Sequence, residues 1–320
     1  MNLHAPTAPI HVVAGVLRDE RGRVLLAQRP RGKHLAGAWE FPGGKCEDGE
    51  LPIDALAREL REELGIVVES ARPLIAAPHR YPDRDILLDA WSVAKYSGTP
   101  HAHEHERLAW FEPDALERVE MPGADRPVVT ALRLPDRYLI TPPLSPSETA
   151  SIERGIELAC RRGIRLIQLR LPGWPSDRLA RVARSARNLC RDYGARLLLN
   201  ADWKLAAILG LDGVHLPARV AAGLSDRPLP SDRWVAVSCH DAAELAHAER
   251  IGADFATLAP VFPTPSHADA PTLGWEGFGE LAAAAALPVY ALGGLEPDDI
   301  DAAQVSGAQG IAAIRALWAA

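Results

Sequence analysis

The spacing of apolar residues changes character once along this chain. In the first part, HVVAGVLR at 11–18 and VLLAQ at 24–28 are apolar runs of strand length, joined by the polar turn DERG at 19–22. WEFP at 39–42 leads into a different pattern. Between 53 and 64, Ile53, Leu56, Ala57, Leu60 and Leu64 recur three and four apart, which makes one apolar face of a helix. Pro52 suits the first turn of that helix, and Gly65 sits where a left-handed cap ends it. Apolar runs at 67–74 and 86–94 follow, then a His/Glu-rich loop. Trp110 and Phe111 are expected to open a closing strand, and 125–134 to form a last helix. Strands alternating around a central helix predict an α/β/α sandwich on a mixed sheet over residues 1–134.

Beyond Leu134-Pro135-Asp136 the texture becomes short apolar runs separated by helical segments. The runs lie at 137–141, 166–171, 196–200, 213–217, 234–239, 255–261, 288–294 and 310–316. Amphipathic or Ala-rich stretches at 147–162, 177–193, 241–251 and 297–306 separate them. Eight strand-like runs with helical connections predict a (β/α)8 TIM barrel over 137–320. A doubly wound open sheet is the alternative. The usual size of such a barrel is roughly 250 residues, so this one is compact. The chain is α/β throughout.

Composition narrows the function. Hydrophobic residues make up 48% of 320, enough for two cores. The net charge of −7 argues against a broad surface for duplex nucleic acid. Free nucleotides remain compatible, because they need only a local basic pocket and a metal. Cys46, Cys160, Cys190 and Cys239 are scattered without a CxxC pair and read as reduced thiols. The N-terminus has no basic and apolar leader pattern. No apolar span approaches the roughly 20 residues that cross a membrane. A cytoplasmic location is expected.

The richest chemistry lies in GKCEDGELPIDALARELREELGI at 44–66. Glu59, Glu62 and Glu63 stand at i, i+3 and i+4, so their carboxylates crowd one side of the predicted helix. Like charges so placed repel unless a cation sits among them. Clustered hard oxygens suit Mg²⁺ or Mn²⁺, bound jointly with substrate phosphates. Arg58 can hold a neighbouring carboxylate by a bidentate pair. A merely solvated acidic face is the plainer reading of such a charge run. The spacing decides against it. Gly44, Glu50, Arg58, Glu59, Leu60, Glu62, Glu63, Gly65 and Ile66 fill every fixed position of G-x5-E-x7-R-E-U-x-E-E-x-G-U, with U aliphatic.

This segment resembles the Nudix box, and the first domain resembles a Nudix hydrolase. The resemblance implies metal-assisted attack of water on a nucleotide phosphorus. It places Glu59, Glu62 and Glu63 as metal ligands together with Gly43. Arg58 joins them in catalysis, and Gly44, Glu50 and Gly65 support the box. A further carboxylate is expected from a facing loop, where MutT-type members carry it a few residues before a tryptophan. Glu104 stands six before Trp110, with Glu106 as competitor. The general base is Glu104 or one of the box glutamates. His101, His103 and His105 alternate in the same loop, but their spacing matches no closed zinc pattern, and a polar solvent loop is the preferred reading.

AQRPRGKHLAGAWEFPGGK at 27–45, YPDRDILLDAW at 81–91 and MPGADRP at 121–127 extend the similarity to the MutT subgroup, which hydrolyses 8-oxo-dGTP to the monophosphate and pyrophosphate. By position, Arg29 meets phosphate or sugar, and Phe41 and Arg84 flank the base. Asp125 stands where the bacterial pattern has a base-reading asparagine. An ionised Asp only accepts hydrogen bonds, whereas Asn also donates. A surface salt bridge within a turn is the competing reading of Arg84 and Asp125.

In the second domain RYLIT, LIQLR, LLLNADWKLA, DGVHLP, APVFPTPSHAD, YALGGL and GAQGIAAI occur in the order seen in thiamine phosphate synthase, which this domain resembles. A phosphate site is expected at Gly293 and Gly294, with Arg170 and Thr264 nearby, where barrel strands end. Asn200 and His215 are further candidates. The departures are specific. QLREK becomes Gln168-Leu169-Arg170-Leu171-Pro172, and the aspartate of NDR becomes Ala201. The second family aspartate has no counterpart in 213–222, and TxTK becomes Thr264-Pro265-Ser266-His267. Asp202, one position late, is expected on the opposite face of a strand. Without those carboxylates the site has little to hold Mg²⁺ against pyrophosphate, so synthase activity is not expected. The function expected is Mg²⁺-dependent hydrolysis of 8-oxo-dGTP. The alternative is hydrolysis of thiamine-related diphosphates, with the barrel binding a precursor or product.

Overall fold

The computed structural model describes residues 9–32, 35–264 and 271–318. It separates into two units, Met1–Arg133 and Leu134–Ala320. Chain order in the first unit is β1 (Ile10–Leu17), β2 (Val24–Gln28), β3 (Trp39–Glu40), α1 (Pro52–Leu64), β4 (Val67–Arg80), β5 (Asp85–Ser97), β6 (Arg107–Phe111) and α2 (Arg126–Arg133). β1 pairs parallel with β5, and β5 pairs antiparallel with β4. β2 pairs antiparallel with both β3 and β6. β1 is apolar on both faces because both are covered. Val13 and Leu17 meet Leu56, Leu60 and Leu64 of α1, while Ala14 and Val16 join Val128 and Val129 of α2 on the other side. Each such leucine buried contributes about 1.5–3 kcal/mol.

Two strand boundaries differ from the sequence reading. β4 runs on to Arg80 through Pro73 and Pro78, with register shifts at 68–71 and 73–75. It is an edge strand, where a missing N–H costs no ladder bond. Trp110 and Phe111 end β6 rather than open it.

The second unit is a closed parallel barrel, which excludes the open sheet. Its strands are β7 (Arg137–Ile140), β8 (Leu166–Leu169), β9 (Arg196–Asn200), β10 (Gly213–Leu216), β11 (Trp234–Cys239), β12 (Phe255–Leu258), β13 (Val289–Leu292) and β14 (Gly310–Ala313). Helices α3 (Thr149–Arg161), α4 (Ser176–Asp192), α5 (Trp203–Leu209), α6 (Ala218–Ala221), α7 (Ala242–Arg250), α8 (Gly274–Ala283) and α9 (Ile300–Val305) lie between them in sequence. Tyr138, Leu166, Leu198, Phe255 and Tyr290 fill the barrel interior. The four cysteines are free, and all but Cys46 are buried. No helix among the described residues is long and apolar enough to cross a membrane.

Candidate active site

α1 ends on Gly65 at φ 70°, whose N–H donates to Arg61 O at 3.0 Å. Glu59 and Glu63, one turn apart on α1, face the Pro42–Gly43–Gly44 segment. That segment runs beside β1, with Val13 N donating to Gly44 O at 2.8 Å and Gly15 N to Pro42 O at 2.7 Å. The two glycines make this approach possible. A Cβ on Gly43, which sits at φ 148°, would lie 2.1 Å from Val13 O. One on Gly44 would lie 2.4 Å from the Glu59 carboxylate. The Gly43 N–H donates to Glu63 Oε2 at 2.8 Å.

Arg58 is the organiser of the acidic cluster. Its Nε and Nη2 each donate to Glu50 at 2.9 Å, and its Nη1 donates to Glu59 Oε1 at 2.8 Å. The pair with Arg58 pulls Glu50 down to about 2. Burial raises the Glu59 carboxyl, Arg58 opposes this, and the charges of Glu63 and Glu62 raise it further. A divalent cation relieves that repulsion, and the donors are hard oxygens, so the residues fit Mg²⁺ or Mn²⁺. Glu62 is more than half exposed, 3.5 Å from Arg58 Nη1.

Not every expected ligand converges. Glu104 is exposed and touches none of the box glutamates among the described residues, and no group of three or more metal-ligating side chains is gathered there. The physical reason is that residues 101–106 form bends pinned at intervals rather than an extended strand. His101 N and His103 N donate to Leu64 O and Glu63 O, and Glu106 N donates to Gln28 O, each at 3.0 Å. This turns Glu104 outward and His105 inward, where its side chain is 6% exposed. The expected alternation of three histidines on one face is also absent. His103 covers the Gly65 cap instead. A site of few carboxylates, completed by substrate phosphates, is the usual form for Mg²⁺.

A second cluster adjoins the first. Arg29 pairs with Glu40. Asp125 ends a 3-10 turn, Gly123–Asp125, and is 5% exposed. Burial pushes its carboxyl up to about 8, the nearby Glu40 charge adds to this, and the Phe41 N–H and Arg29 only partly oppose it. The surface salt bridge considered for Asp125 is therefore excluded. Phe41 also differs from expectation. Its ring is buried in the core, so it offers the site a backbone N–H instead of an open stacking face. Arg84 lies over the Tyr81 ring at 5.6 Å and beside Asp83 at 3.4 Å. Tyr81 in turn accepts the Ala124 N–H. Glu40 and Tyr81 are not among the residues singled out from sequence, and His105, read there as part of a polar solvent loop, is buried instead. Glu40 directly precedes the FPGG turn, which was the available signal.

In the barrel, His215 is buried and neutral, with its pKa lowered to about 3 by burial and by Arg170. Its Nδ1 lies 3.0 Å from Tyr138 Oη and its Nε2 2.7 Å from Ser238 Oγ. Asp202 is not on a strand at all. It caps α5, accepting Leu205 N at 2.9 Å. Ala201 sits at φ 68°. Gly293 and Gly294 pack against Pro260 and Phe262, where Cβ atoms would come within 3.0 and 2.8 Å. Thr264 is half-buried, while the rest of its loop, 265–270, lies outside the described residues.

Residues 13–131 match the NUDIX domain family, and residues 137–317 match the thiamine monophosphate synthase family. The first unit is 42% identical over 122 residues to the CTP pyrophosphohydrolase of Escherichia coli, covering 38% of this chain and 90% of that one. It is 33% identical over 124 residues to the 8-oxo-dGTP diphosphatase of the same organism, covering 39% and 96%. The second unit is 31% identical over 198 residues to the thiamine-phosphate synthase of Thioalkalivibrio sulfidiphilus, covering 59% and 90%. The chain belongs to the Nudix hydrolases through its first unit and to the thiamine monophosphate synthase family through its second. Kinship with the two hydrolases supports cleavage of nucleotide pyrophosphate linkages as the chemistry of the first unit.

Proposed function

We propose that the first unit is a divalent-metal-dependent nucleoside triphosphate pyrophosphohydrolase that acts on 8-oxo-dGTP, releasing the monophosphate and pyrophosphate in the cytoplasm. The observation that carries the base assignment is the buried Asp125. Held neutral, it donates one hydrogen bond and accepts another, as an asparagine does. It can therefore give its proton to O6 of 8-oxoguanine and accept from N7–H, a donor that unoxidised guanine lacks. Glu59, Glu62, Glu63 and the Gly43 carbonyl would hold Mg²⁺ or Mn²⁺. When bound, the cation supplies charge neutralisation on the phosphates and a more acidic water. Arg58 fixes Glu50 and Glu59, and a box glutamate takes the proton from the attacking water.

The likeness to a CTP pyrophosphohydrolase favours a second reading. A neutral Asp125 also matches cytosine, donating to N3 and accepting from N4–H. Steady-state kinetics on both nucleotides, with products separated by chromatography, distinguishes the two. Hydrolysis of thiamine-related diphosphates is the third outcome of the same panel. For the barrel we propose loss of metal-dependent synthase activity. Asp202 is engaged as a cap, and Ala201 carries no carboxylate. Product formation from the synthase substrates with Mg²⁺ would overturn that.

A further inference from the structure

One side chain, His105, lies against acidic groups of both clusters. Glu40 of β3 stands on the base side, paired with Arg29 and felt by Asp125. Glu63 of α1 stands on the metal side, held by the Gly43 N–H. His105 Nε2 lies 3.1 Å from Glu63 Oε2 and its Nδ1 lies 4.0 Å from Glu40 Oε1, close packing contacts rather than hydrogen bonds. The imidazole cannot drift, because its loop is bonded to the end of α1 on one side and to β2 on the other. Glu63 Oε2 thus faces both the Gly43 N–H and the imidazole. Its Oε1 carries no hydrogen bond among the described residues and remains available to a cation.

We propose that His105 is a positioning residue that fixes Glu63 and Glu40 at one spacing, so that divalent-metal binding on α1 and base binding beside Asp125 depend on each other. The proposal rests on the hydrolase reading above and adds a physical link between its two halves. Groups around a metal ligand typically change metal affinity 10–100-fold when removed. A link between two sites must also act equally in both directions.

The test is Mn²⁺ binding by the full-length protein, followed by loss of the free-ion paramagnetic resonance signal. It is run with and without saturating 8-oxodeoxyguanosine or cytidine, nucleosides that carry no phosphate to ligate the metal. The wild type is expected to bind Mn²⁺ severalfold tighter with its preferred nucleoside present. His105→Ala is expected to weaken Mn²⁺ binding about tenfold and to bring the nucleoside effect to unity. His105→Gln, which keeps a nitrogen in reach of Glu63 but not one toward Glu40, should recover the metal affinity without recovering the nucleoside effect. That split is not expected of a side chain that only stabilises the fold. If His105→Ala does not fold, the polar and shorter His105→Asn is read in its place. Equal nucleoside effects in wild type and variant, or no effect in the wild type, overturn the proposal. Failure of the wild type to bind Mn²⁺ at all removes the hydrolase reading with it.

Discussion

Replacing Asp125 by Asn keeps the shape of the side chain and removes its titration. In the fold its carboxyl is pushed up to about 8 from an ordinary 3.8. The folded protein therefore binds this proton more tightly than the unfolded chain does. Stability from this group is complete below the unfolded value and declines as pH rises, until the folded carboxyl itself ionises near 8. The slope within the window is up to about 1.4 kcal/mol per pH unit. Across the window the loss is on the order of 5 kcal/mol. The Asp125→Asn variant has no such loss. The transition of its first unit should therefore coincide with wild type near pH 3, below the unfolded value, and lie higher by on the order of 10 °C at pH 8. Thermal unfolding of the full chain at several pH values checks this, since only the first unit's transition should move. The same chemistry predicts that the wild-type KM for its preferred nucleotide rises above pH 8 while that of Asp125→Asn stays level. A constant offset in Tm across the window, or parallel KM profiles, would refute a neutral buried Asp125.

Glu62→Gln should leave unfolding unchanged, because the side chain is half in solvent, yet cut turnover by orders of magnitude. Near-normal kinetics in that variant would remove its metal role. Gly44→Ala should fold and lose activity, since the new Cβ meets the end of the Glu59 side chain and displaces its carboxylate. Gly43→Ala should lose several kcal/mol, because its Cβ meets the Val13 carbonyl. Circular dichroism and kinetics on the pair separate the two effects, and equal stabilities would contradict the packing argument. Ala201→Gly should raise the barrel's transition by about 1 kcal/mol, by relieving a left-handed alanine. A lower transition would show that the strain is absent.

The elements were legible where one physical cause dominated. α1 is written in its three-and-four spacing and its Pro52 and Gly65 ends, and the eight barrel strands in apolar runs that both layers bury. β4 outruns the apolar stretch at 67–74 and carries Pro73 and Pro78, and only sheet order shows that it is an edge that tolerates them. Within the candidate site, fixed spacing places Glu59, Glu62 and Glu63 on one helix. Residues brought in by loops were not legible in the same way. Glu104 and His105 are neighbours, and which one turns inward depends on hydrogen bonds from 101, 103 and 106 to two distant elements. Asp125 is a candidate by position, but the upward push on its carboxyl comes from burial and the nearby Glu40 charge, which no sequence pattern carries. Asp202 was misplaced for a related reason, because the strand ends at Asn200 and the next turn captures its carboxylate.

The most direct measurement of the central claim is a substrate panel with the full chain and Mg²⁺, comparing 8-oxo-dGTP, dGTP, CTP, nucleotide sugars and thiamine diphosphates. kcat/KM should be highest for 8-oxo-dGTP, with CTP as the nearest competitor, and monophosphate and pyrophosphate as products. Turnover confined to thiamine diphosphates, or none with any nucleoside triphosphate, would contradict it.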